Sequence, residues 1–360
     1  MAWVYNPENI KAVVTLFEHV FQHNIFQQSI AILPEFSVVL TLFIALLLDK
    51  TLGEAKRFHY LVGFGWLANK LAARLNPLPI EKVSAKDRSV LKAKLLGAIA
   101  WALLVLPLPV LYYFLIEQLT WYGQIMADAT VLYLAIGLNS LYQHAMQIYR
   151  PLQSGDIDNA RHFTGYIVSR ETSALTEQEI SRATVESMLE NGHDAVIASL
   201  VYYLIGGAPL VILHRLANTL DAMWGYKNAR FINFGYASAR LDDLLGFISG
   251  KCCALLYAIQ GLPHRLFAKA LKNAYSQGKQ YKSHNGGWVM AAGATVMAIK
   301  LGGSAQYHGN VVHSVTLGAG RAVGIDDIVQ SLHVVNRASL LLITWVFIWQ
   351  LITNIFFTFI

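Results

Sequence analysis

Charged side chains are scarce in this sequence: aspartate, glutamate, lysine and arginine make up 14% of its 360 residues, whereas 55% are hydrophobic. A soluble domain usually carries about a quarter of its residues as charged side chains. This shortage leaves too little polar surface for a soluble domain. The composition therefore predicts a protein that is embedded in a membrane.

Cysteine is nearly absent as well, because the only two, Cys252 and Cys253, are neighbours in the chain. Adjacent cysteines rarely reach disulfide geometry without strain, and two of them make no metal-binding spacing. The sequence also lacks a GxxxxGK(S/T) phosphate loop, a GxSxG nucleophile elbow and an HExxH zinc motif. These absences exclude a disulfide scaffold and nucleotide binding through a P-loop.

Long apolar runs are what the sequence does contain. A helix needs about 20 predominantly apolar residues to cross the hydrocarbon core of a bilayer. Four segments come near that length: Ser29–Lys50, Leu95–Ile116, Ala129–Tyr149 and Ser339–Ile360. We therefore predict an all-α fold, a polytopic integral membrane protein, in which Pro107 kinks the second segment.

The distribution of basic residues predicts the orientation in the membrane. The formal net charge is +6, and lysine and arginine are concentrated between Lys50 and Lys94 but absent from 95–149. Cytoplasmic loops carry the excess of lysine and arginine. We therefore place 50–94 and 150–194 in the cytoplasm and the acidic turn Glu117–Asp128 outside. No basic run is interleaved with exposed aromatics, so nucleic acid is not an expected partner.

Two further apolar segments are interrupted. Ala195–Leu213 contains Gly206, Gly207 and Pro209, and Leu244–Ile259 contains Gly246, Gly250 and Lys251. Irregular backbone at membrane depth is tolerated where it lines a cavity, and polar groups around such breaks often mark a functional site. We predict that both segments are broken or re-entrant helices.

The first polar cluster is Val168–Asp194. A capping box of Thr176 and Glu179 predicts a helix that starts near Thr176. On this helix Arg182, Glu186, Glu190 and Asp194 share one face because they are four residues apart. The stripe is either a solvent-facing row of ion pairs or part of a functional site.

Two more polar clusters follow. Asn218–Asp243 combines aspartates with lysine and arginine, a mixture that suits magnesium and phosphate oxygens but also suits an ordinary polar loop. Ser283–Ser304 is rich in glycine, which allows close approach of the backbone to a ligand or close packing of helices. We divide the chain into an amphipathic N-terminal segment (1–28), the first transmembrane helices with a basic loop (29–149), a catalytic core (150–309) and a C-terminal segment (310–360).

Three blocks in this order resemble one family. They are RETSALTEQEISRATVESMLENGHDAVIA (170–198), HRLANTLDAMWGYKNARFINFGYASARLDDLLGFI (214–248) and HNGGWVMAAGATVMAIKLGGSAQYHG (284–309). Together they are similar to the CbiB/CobD proteins of cobalamin (vitamin B12) biosynthesis, the adenosylcobinamide-phosphate synthases. The resemblance extends from about residue 40 to residue 309 and is strongest after Arg170.

The resemblance implies an ATP-dependent amide ligase in the bacterial inner membrane, with its active site facing the cytoplasm. Such an enzyme joins the free carboxyl group of adenosylcobyric acid to aminopropanol or aminopropanol phosphate, with magnesium and ATP. A carboxylate is a poor electrophile, so ATP would first convert it to an acyl phosphate that the amine attacks. Homo-oligomers and contacts with other late corrinoid-pathway membrane enzymes are also compatible with the resemblance.

The matched positions supply the candidate site residues. We assign magnesium to Asp221, Asp242 and Asp243. We assign Lys227 and Arg240 to catalysis and to the binding of phosphate oxygens. Arg170 is assigned as a further phosphate ligand. Glu186 or Glu190 would act as the base or as a further metal ligand. The candidate substrate contacts are the remaining polar and aromatic positions: Arg170, Thr172, Arg182, Asn191, Asn218, Tyr226, Asn285 and Trp288.

This sequence departs from the family pattern at several positions. Glu171 replaces the aspartate of Arg-Asp-Thr, Val289 replaces the proline of Gly-Trp-Pro-Met, and Glu54-Ala55 stands where Asp-Pro is expected. The chain is therefore a divergent member whose substrate preference is open.

Two non-enzymatic functions remain as alternatives. A regulatory membrane protein of the AmpE type would share the core, but we would expect it to have a degraded aspartate block, whereas the run from Asn218 to Asp243 is intact. A corrinoid carrier would suit the broken segments, but inverted repeats are not evident.

Overall fold

The chain is almost entirely helical. The structure, a computed structural model, describes residues 33–53, 60–76, 88–226, 228–307 and 310–358. In chain order the helices are α1 (Ser37–Leu52), α2 (Tyr60–Leu75), α3 (Arg88–Val105), α4 (Pro107–Ile116), α5 (Trp121–Ala135), α6 (Leu138–Gln153), α7 (Ile157–Thr164), α8 (Glu177–Gly192), α9 (Ala198–Trp224), α10 (Tyr236–Ile259), α11 (Phe267–Gly278), α12 (His284–Val296) and α13 (Asp327–Thr358). The predicted segment 1–28 and Lys227 lie outside the described residues.

Four stretches are long and apolar enough to cross a membrane: Val90–Ile116, Trp121–Gln153, Glu177–Trp224 and Asp327–Ile355. Two of them contain predicted spans, and Asp327–Ile355 overlaps the predicted Ser339–Ile360, beginning twelve residues before it. The fourth predicted span, Ser29–Lys50, is described only in part, with α1 beginning at Ser37. The fold is therefore that of an all-α membrane protein, as predicted.

The span that contains α8 and α9 is broken at the glycine pair. Gly206 (φ −160°, ψ 31°) and Gly207 (φ 66°, ψ −165°) leave helical geometry inside α9. The dihedrals of Gly207 lie in a region that is essentially restricted to glycine, and Pro209 has no N–H to continue the helix. The break predicted in Ala195–Leu213 is confirmed. The second long helical stretch is also interrupted, because α5 ends at Ala135 and α6 begins at Leu138.

The break predicted in Leu244–Ile259 is wrong, since α10 runs without interruption from Tyr236 to Ile259. Its glycines serve packing instead. A Cβ at Gly246 would come within 2.6 Å of Asn285 Nδ2, and one at Gly250 would lie 3.6 Å from His193 Nε2. Gly246 therefore makes room for Asn285, whereas a Cβ at Gly250 would make only an ordinary contact.

One antiparallel hairpin, which the sequence did not predict, follows α12. Strand β1 (Lys300–Tyr307) pairs with β2 (Asn310–Gly318), and the register shifts between Leu301 and Gly303. Positive φ angles at Gly302 and Gly303 accompany this bulge. The hairpin begins in the glycine-rich third cluster, so part of that cluster forms strand.

The core surrounds α8. Leu189, Tyr257, Met290 and Val335, from α8, α10, α12 and α13, are buried in one cluster. Gly192 allows close packing there, because a Cβ would come within 2.4 Å of a Val335 methyl carbon. Helix α8 is consequently held on several sides, and four of its polar side chains are buried: Ser181, Thr184, Glu186 and Ser187.

Candidate active site

The capping box positions the start of α8 as predicted. Thr176 Oγ1 accepts the backbone N–H of Glu179 at 3.3 Å, and Glu179 Oε2 accepts that of Thr176 at 2.9 Å. The stripe further along the helix points inward: Glu186 is only 8% exposed. A row of solvent-facing ion pairs is therefore wrong for this face, because its central carboxylate is buried.

Glu186 is held from two sides. Arg170 Nη2 donates to Glu186 Oε2 at 2.6 Å, and the backbone N–H of Gly302 donates to Oε1 at 2.8 Å. Both side chains of the ion pair are about nine-tenths buried. The pair thus ties the loop before α8 to the helix, and the hairpin closes over it. The Arg182 side chain reaches the same hairpin. A Cβ added to Gly303 would lie 3.3 Å from Arg182 Nη1.

Glu190 is one turn further along α8 and explains a glycine of the third cluster. A Cβ at Gly286 would come within 2.5 Å of Glu190 Oε1, so only glycine leaves the carboxylate in place. Glu190 lies within electrostatic range of Asp194, His193 and Lys282. The glycine-rich segment therefore admits a protein carboxylate.

A π-helical turn, His193–Ile197, joins α8 to α9. Such single turns occur frequently at functional sites. His193 Nε2 is 2.9 Å from Ser249 Oγ, and its Nδ1 is 2.7 Å from Asp194 Oδ1. Sequence analysis missed His193, and only its position next to Asp194 in the polar cluster could have indicated it.

The three aspartates predicted to bind magnesium gather near Asp194. The pKa of Asp242 is raised to about 8, mainly by burial and also by the charges of Asp194, Asp221 and Asp243, while a hydrogen bond from Asn218 opposes these effects. Asn218 Nδ2 lies 3.3 Å from Asp242 Oδ1. We call Glu190, Asp194, Asp221, Asp242 and Asp243 the acidic site.

The acidic site has the oxygen donors that magnesium prefers. Carboxylates that lie within electrostatic range of one another repel, and a bound cation would relieve that repulsion. Within the described ranges, however, no three His, Cys, Asp or Glu side chains are already arranged as metal ligands. Magnesium commonly keeps several waters and binds through one or two carboxylates plus substrate phosphates. The donor set therefore fits a magnesium ion that arrives with a nucleotide, and it does not fit a preformed protein cage.

The candidate cations and substrate contacts are spread around the acidic site. Asn285 Nδ2 donates to the carbonyl of Asp243 at 2.9 Å, so α12 is fixed against α10. Arg240 is exposed, with its guanidinium 5.5 Å from the Tyr236 ring. The Trp288 ring is covered by Lys251, whose Nζ lies 3.3 Å from the ring centroid. Tyr226 is more than half exposed at the end of α9.

Thr172 lies apart from these groups. It is half-buried in the loop before α8, where its carbonyl accepts the N–H of Leu175 at 3.2 Å. Thr172 lies close to Arg170 in the chain. Its role as a substrate contact stays a prediction.

A cavity of about 470 Å³ lies on the neighbouring face of α8. Its polar lining comes from elements far apart in the chain: Asp49, Tyr60, His144, Ser187, Asn191 and Arg215. Asn191 Nδ2 donates to Ser187 O at 2.9 Å. Of this lining, sequence analysis identified only Asn191 as a candidate contact.

These features define a class: a polytopic helical membrane protein with a half-buried acidic site and a separate small cavity on adjacent faces of one helix. Comparison with known proteins gives the family. The family model described as CobD/Cbib protein matches residues 42–335. The chain therefore belongs to the CobD/CbiB protein family.

Curated relatives agree with this assignment. The chain is 44% identical to the cobalamin biosynthesis protein CobD of Stutzerimonas stutzeri, over 79% of this chain and 89% of the relative. It is 43% identical to the CobD of Chromobacterium violaceum, over 82% and 91%, and 32% identical to that of Halalkalibacterium halodurans, over 86% and 96%. No solved structure matches the chain.

Proposed function

We propose that the chain is an adenosylcobinamide-phosphate synthase, which uses ATP and magnesium to form an amide between adenosylcobyric acid and aminopropanol or its O-phosphate. Family membership gives the chain its role in cobalamin biosynthesis. The observation that supports the ligase chemistry is the acidic site, where Asp242 lies within electrostatic range of Asp194, Asp221 and Asp243.

The reaction needs two steps because a carboxylate resists attack by an amine. A carboxylate oxygen of the corrinoid first takes the γ-phosphoryl group of ATP, which forms an acyl phosphate and releases ADP. The amine nitrogen then attacks the acyl carbon, the C–O bond to phosphate breaks, and inorganic phosphate leaves. The protein supplies positioning and charge compensation for both steps.

Asp221, Asp242 and Asp243 would hold magnesium, which neutralises the charge on the transferred phosphoryl group. Lys227 and Arg240 would bind nucleotide phosphates, and the exposure of Arg240 lets a soluble nucleotide reach it. Arg170 is already paired with Glu186. We therefore propose that Arg170 lies behind the phosphate-binding residues and supports the site through its ion pair with Glu186.

Glu190 is the better base of the two glutamates. The amine must lose a proton before or during its attack. Both carboxylate oxygens of Glu186 are already occupied, one by the Arg170 guanidinium and the other by the backbone N–H of Gly302. Glu190 belongs to the acidic site and lies within electrostatic range of Asp194.

Asn218 and Asn285 hold acidic residues in place, and Tyr226 and Trp288 offer aromatic surface for the corrin or the adenine. The basic residues of 50–94 favour a cytoplasmic active site in the bacterial inner membrane, where ATP is available.

The test is a ligation assay with the full chain purified in detergent. Adenosylcobyric acid, ATP, magnesium and aminopropanol phosphate are supplied, and amide product is followed by mass spectrometry. We expect product only when all four are present, and loss of product in Asp242→Asn. Asp158→Asn, at an aspartate that is 90% exposed on α7, should keep full activity. Tight corrinoid binding without turnover would contradict the proposal and favour a carrier or regulator.

A further inference from the structure

We propose that a partly exposed cluster of aromatic and basic side chains, reached along α10 from the acidic site, binds the base and the first phosphates of a nucleoside triphosphate. We call it the aromatic–basic cluster, and it consists of Phe247, Lys251, Tyr275, Lys279 and Trp288, from α10, α11 and α12 and the residue after α11. The inference rests on the proposed function. It assigns a place to the nucleotide in a sequence without a phosphate loop.

The rings and ammonium groups of the cluster contact one another directly. Lys251 Nζ lies 3.3 Å from the centroid of the Trp288 ring and 4.8 Å from that of the Phe247 ring. The Tyr275 ring meets the Trp288 ring edge to face, with 5.8 Å between the centroids and 85° between the planes. Lys279 Nζ lies 3.5 Å from the centroid of Tyr275. Aromatic faces attract cations, so these contacts join the three helices in one cluster.

The cluster carries positive charge that is not compensated by a neighbouring carboxylate. Among the described residues, Lys251 and Lys279 make no ion pair, and the sequence contains no aspartate or glutamate from 244 to 325. Burial lowers the pKa of Lys251 to about 8, and a bound anion would stabilise its charged form. The cluster is therefore complementary in charge to phosphate groups.

The cluster also lies outside the membrane-capable stretches. In the parts of the chain that the structure describes, four such stretches are present, and α10, α11 and α12 belong to none of them. Phe247 and Tyr275 are each 55% exposed. Exposed aromatic rings beside basic groups form the kind of surface on which a base stacks while its phosphates are bound. A water-soluble ligand with a base and phosphates is therefore the occupant that fits.

Helix α10 connects the cluster to the acidic site. Arg240, Phe247 and Lys251 are spaced by seven and four residues, which places them on one face of a helix. Lys251 follows Asp243 by eight residues, and eight residues span about 12 Å along a helix axis. A nucleotide whose base lies in the cluster can therefore extend its phosphates along α10 toward Arg240 and the acidic site.

The charge of the cluster favours the nucleotide over the corrinoid. A nucleoside triphosphate has a flat base and several negative charges, whereas adenosylcobyric acid has a single free carboxyl group among neutral amides. Two lysines next to three aromatic rings match the first of these ligands in both respects.

The test measures binding of ADP, the probe, to the detergent-purified full chain by isothermal titration calorimetry. Lys251→Gln should weaken ADP binding at least tenfold, whereas Lys251→Arg should keep most of the affinity. Tyr275→Leu should weaken ADP binding at least threefold but leave the binding of inorganic pyrophosphate unchanged, because only the base stacks on this ring. Lys272→Gln, at an exposed lysine of α11, is the matched control and should bind ADP like the parent chain.

Binding of adenosylcobyric acid to the same variants guards against misfolding and distinguishes the two ligands. Its affinity should be the same in Lys251→Gln, Tyr275→Leu and the parent chain. Absence of ADP binding to the parent chain, or undiminished ADP binding to both variants, would overturn the inference. Weaker corrinoid binding together with unchanged ADP binding would assign the cluster to the corrinoid instead.

The two proposals fail in different ways. Asp242→Asn should lose ligation yet bind ADP in the absence of magnesium like the parent chain, because Asp242 belongs to the acidic site. If no amide forms under any condition but ADP binding depends on Lys251 and Tyr275, the ligase proposal fails and the nucleotide site stands. If ligation proceeds and Lys251→Gln leaves the KM for ATP unchanged, the assignment of the cluster fails alone.

Discussion

Arg170 and Glu186 show how this chain keeps a full charge inside its helical core. The two side chains are about nine-tenths buried and 2.6 Å apart, and Gly302 completes the carboxylate's hydrogen bonding. Desolvation of two charges is repaid only when the geometry is good and the remaining acceptors are satisfied. The pair meets both conditions, so each partner depends strongly on the other.

Arg170→Ala should therefore destabilise the protein by about 3 kcal/mol or more, because it leaves Glu186 as a buried charge without its guanidinium. The measurement is the thermal denaturation midpoint in detergent at a fixed scan rate. Asp158→Ala is the control, since it breaks an exposed ion pair with Arg161 that is worth about 1 kcal/mol at most. Equal denaturation midpoints for Arg170→Ala and Asp158→Ala would show that the buried ion pair contributes no more to stability than the exposed one.

Asp242 predicts how stability depends on pH. Its pKa in the folded protein is about 8, mainly because of burial, against an ordinary value of 3.8. The folded state therefore binds a proton that the unfolded state releases between these values, so stability falls as pH rises from about 4 to about 8. Above pH 8 this contribution is flat.

The measurement is the denaturation midpoint of the magnesium-free protein between pH 5 and pH 9, compared with Asp242→Asn. The denaturation midpoint of Asp242→Asn should decline less steeply with pH than that of the parent chain. The midpoint of Asp158→Asn should decline as steeply as that of the parent chain. Identical slopes for the parent chain and Asp242→Asn would contradict the raised pKa.

At the scale of elements, the sequence indicated some features strongly because their signals are local. The capping box of Thr176 and Glu179 and the break at Gly206–Gly207 are each contained within a few residues, and both are confirmed. Glycine elsewhere is ambiguous, since it either interrupts a helix or makes room for a neighbour. Only the tertiary partner, Asn285 for Gly246, decides between these outcomes.

The hairpin and the small cavity were both missed at the level of sequence. Strand β1 begins in a glycine-rich segment with little strand propensity, whereas β2 is rich in valine and threonine, a strand signal that the prediction did not use. The cavity joins Asp49, His144 and Arg215, which are far apart in the chain. No spacing in a single sequence relates such positions, whereas the residues of the acidic site lie in two short polar clusters of the sequence.

The break in α9 makes an element-scale prediction. Gly207→Ala should destabilise the protein by about 1–3 kcal/mol, because φ 66° with ψ −165° is strained for any residue with a Cβ. Gly63→Ala is the matched control: it lies in α2, and a Cβ there meets nothing within 4 Å, so the change should be neutral or slightly stabilising. Denaturation midpoints measure both, and an unaffected Gly207→Ala would mean that the break is not imposed by the backbone.

At the scale of the whole molecule, the orientation in the membrane decides on which side the acidic site lies. The described helices include four membrane-capable stretches, and the distribution of lysine and arginine predicts their orientation. Glu117 and Asp158 are exposed acids on connections that the prediction places on opposite sides.

Single cysteines at these two positions test the orientation in a background with Cys252→Ser and Cys253→Ser. A membrane-impermeant maleimide should label Glu117→Cys in intact cells and Asp158→Cys only in inside-out vesicles. The reverse pattern would place the acidic site outside, away from ATP, and would contradict the proposed ligation.

The most direct test of the account follows oxygen from the corrinoid carboxylate. Adenosylcobyric acid labelled with ¹⁸O at that carboxylate is ligated by the purified protein, and the released phosphate is examined by mass spectrometry. Activation through an acyl phosphate predicts one ¹⁸O atom in each inorganic phosphate, together with ADP. Amide formation without label in phosphate, or with label in AMP, would contradict the proposed chemistry.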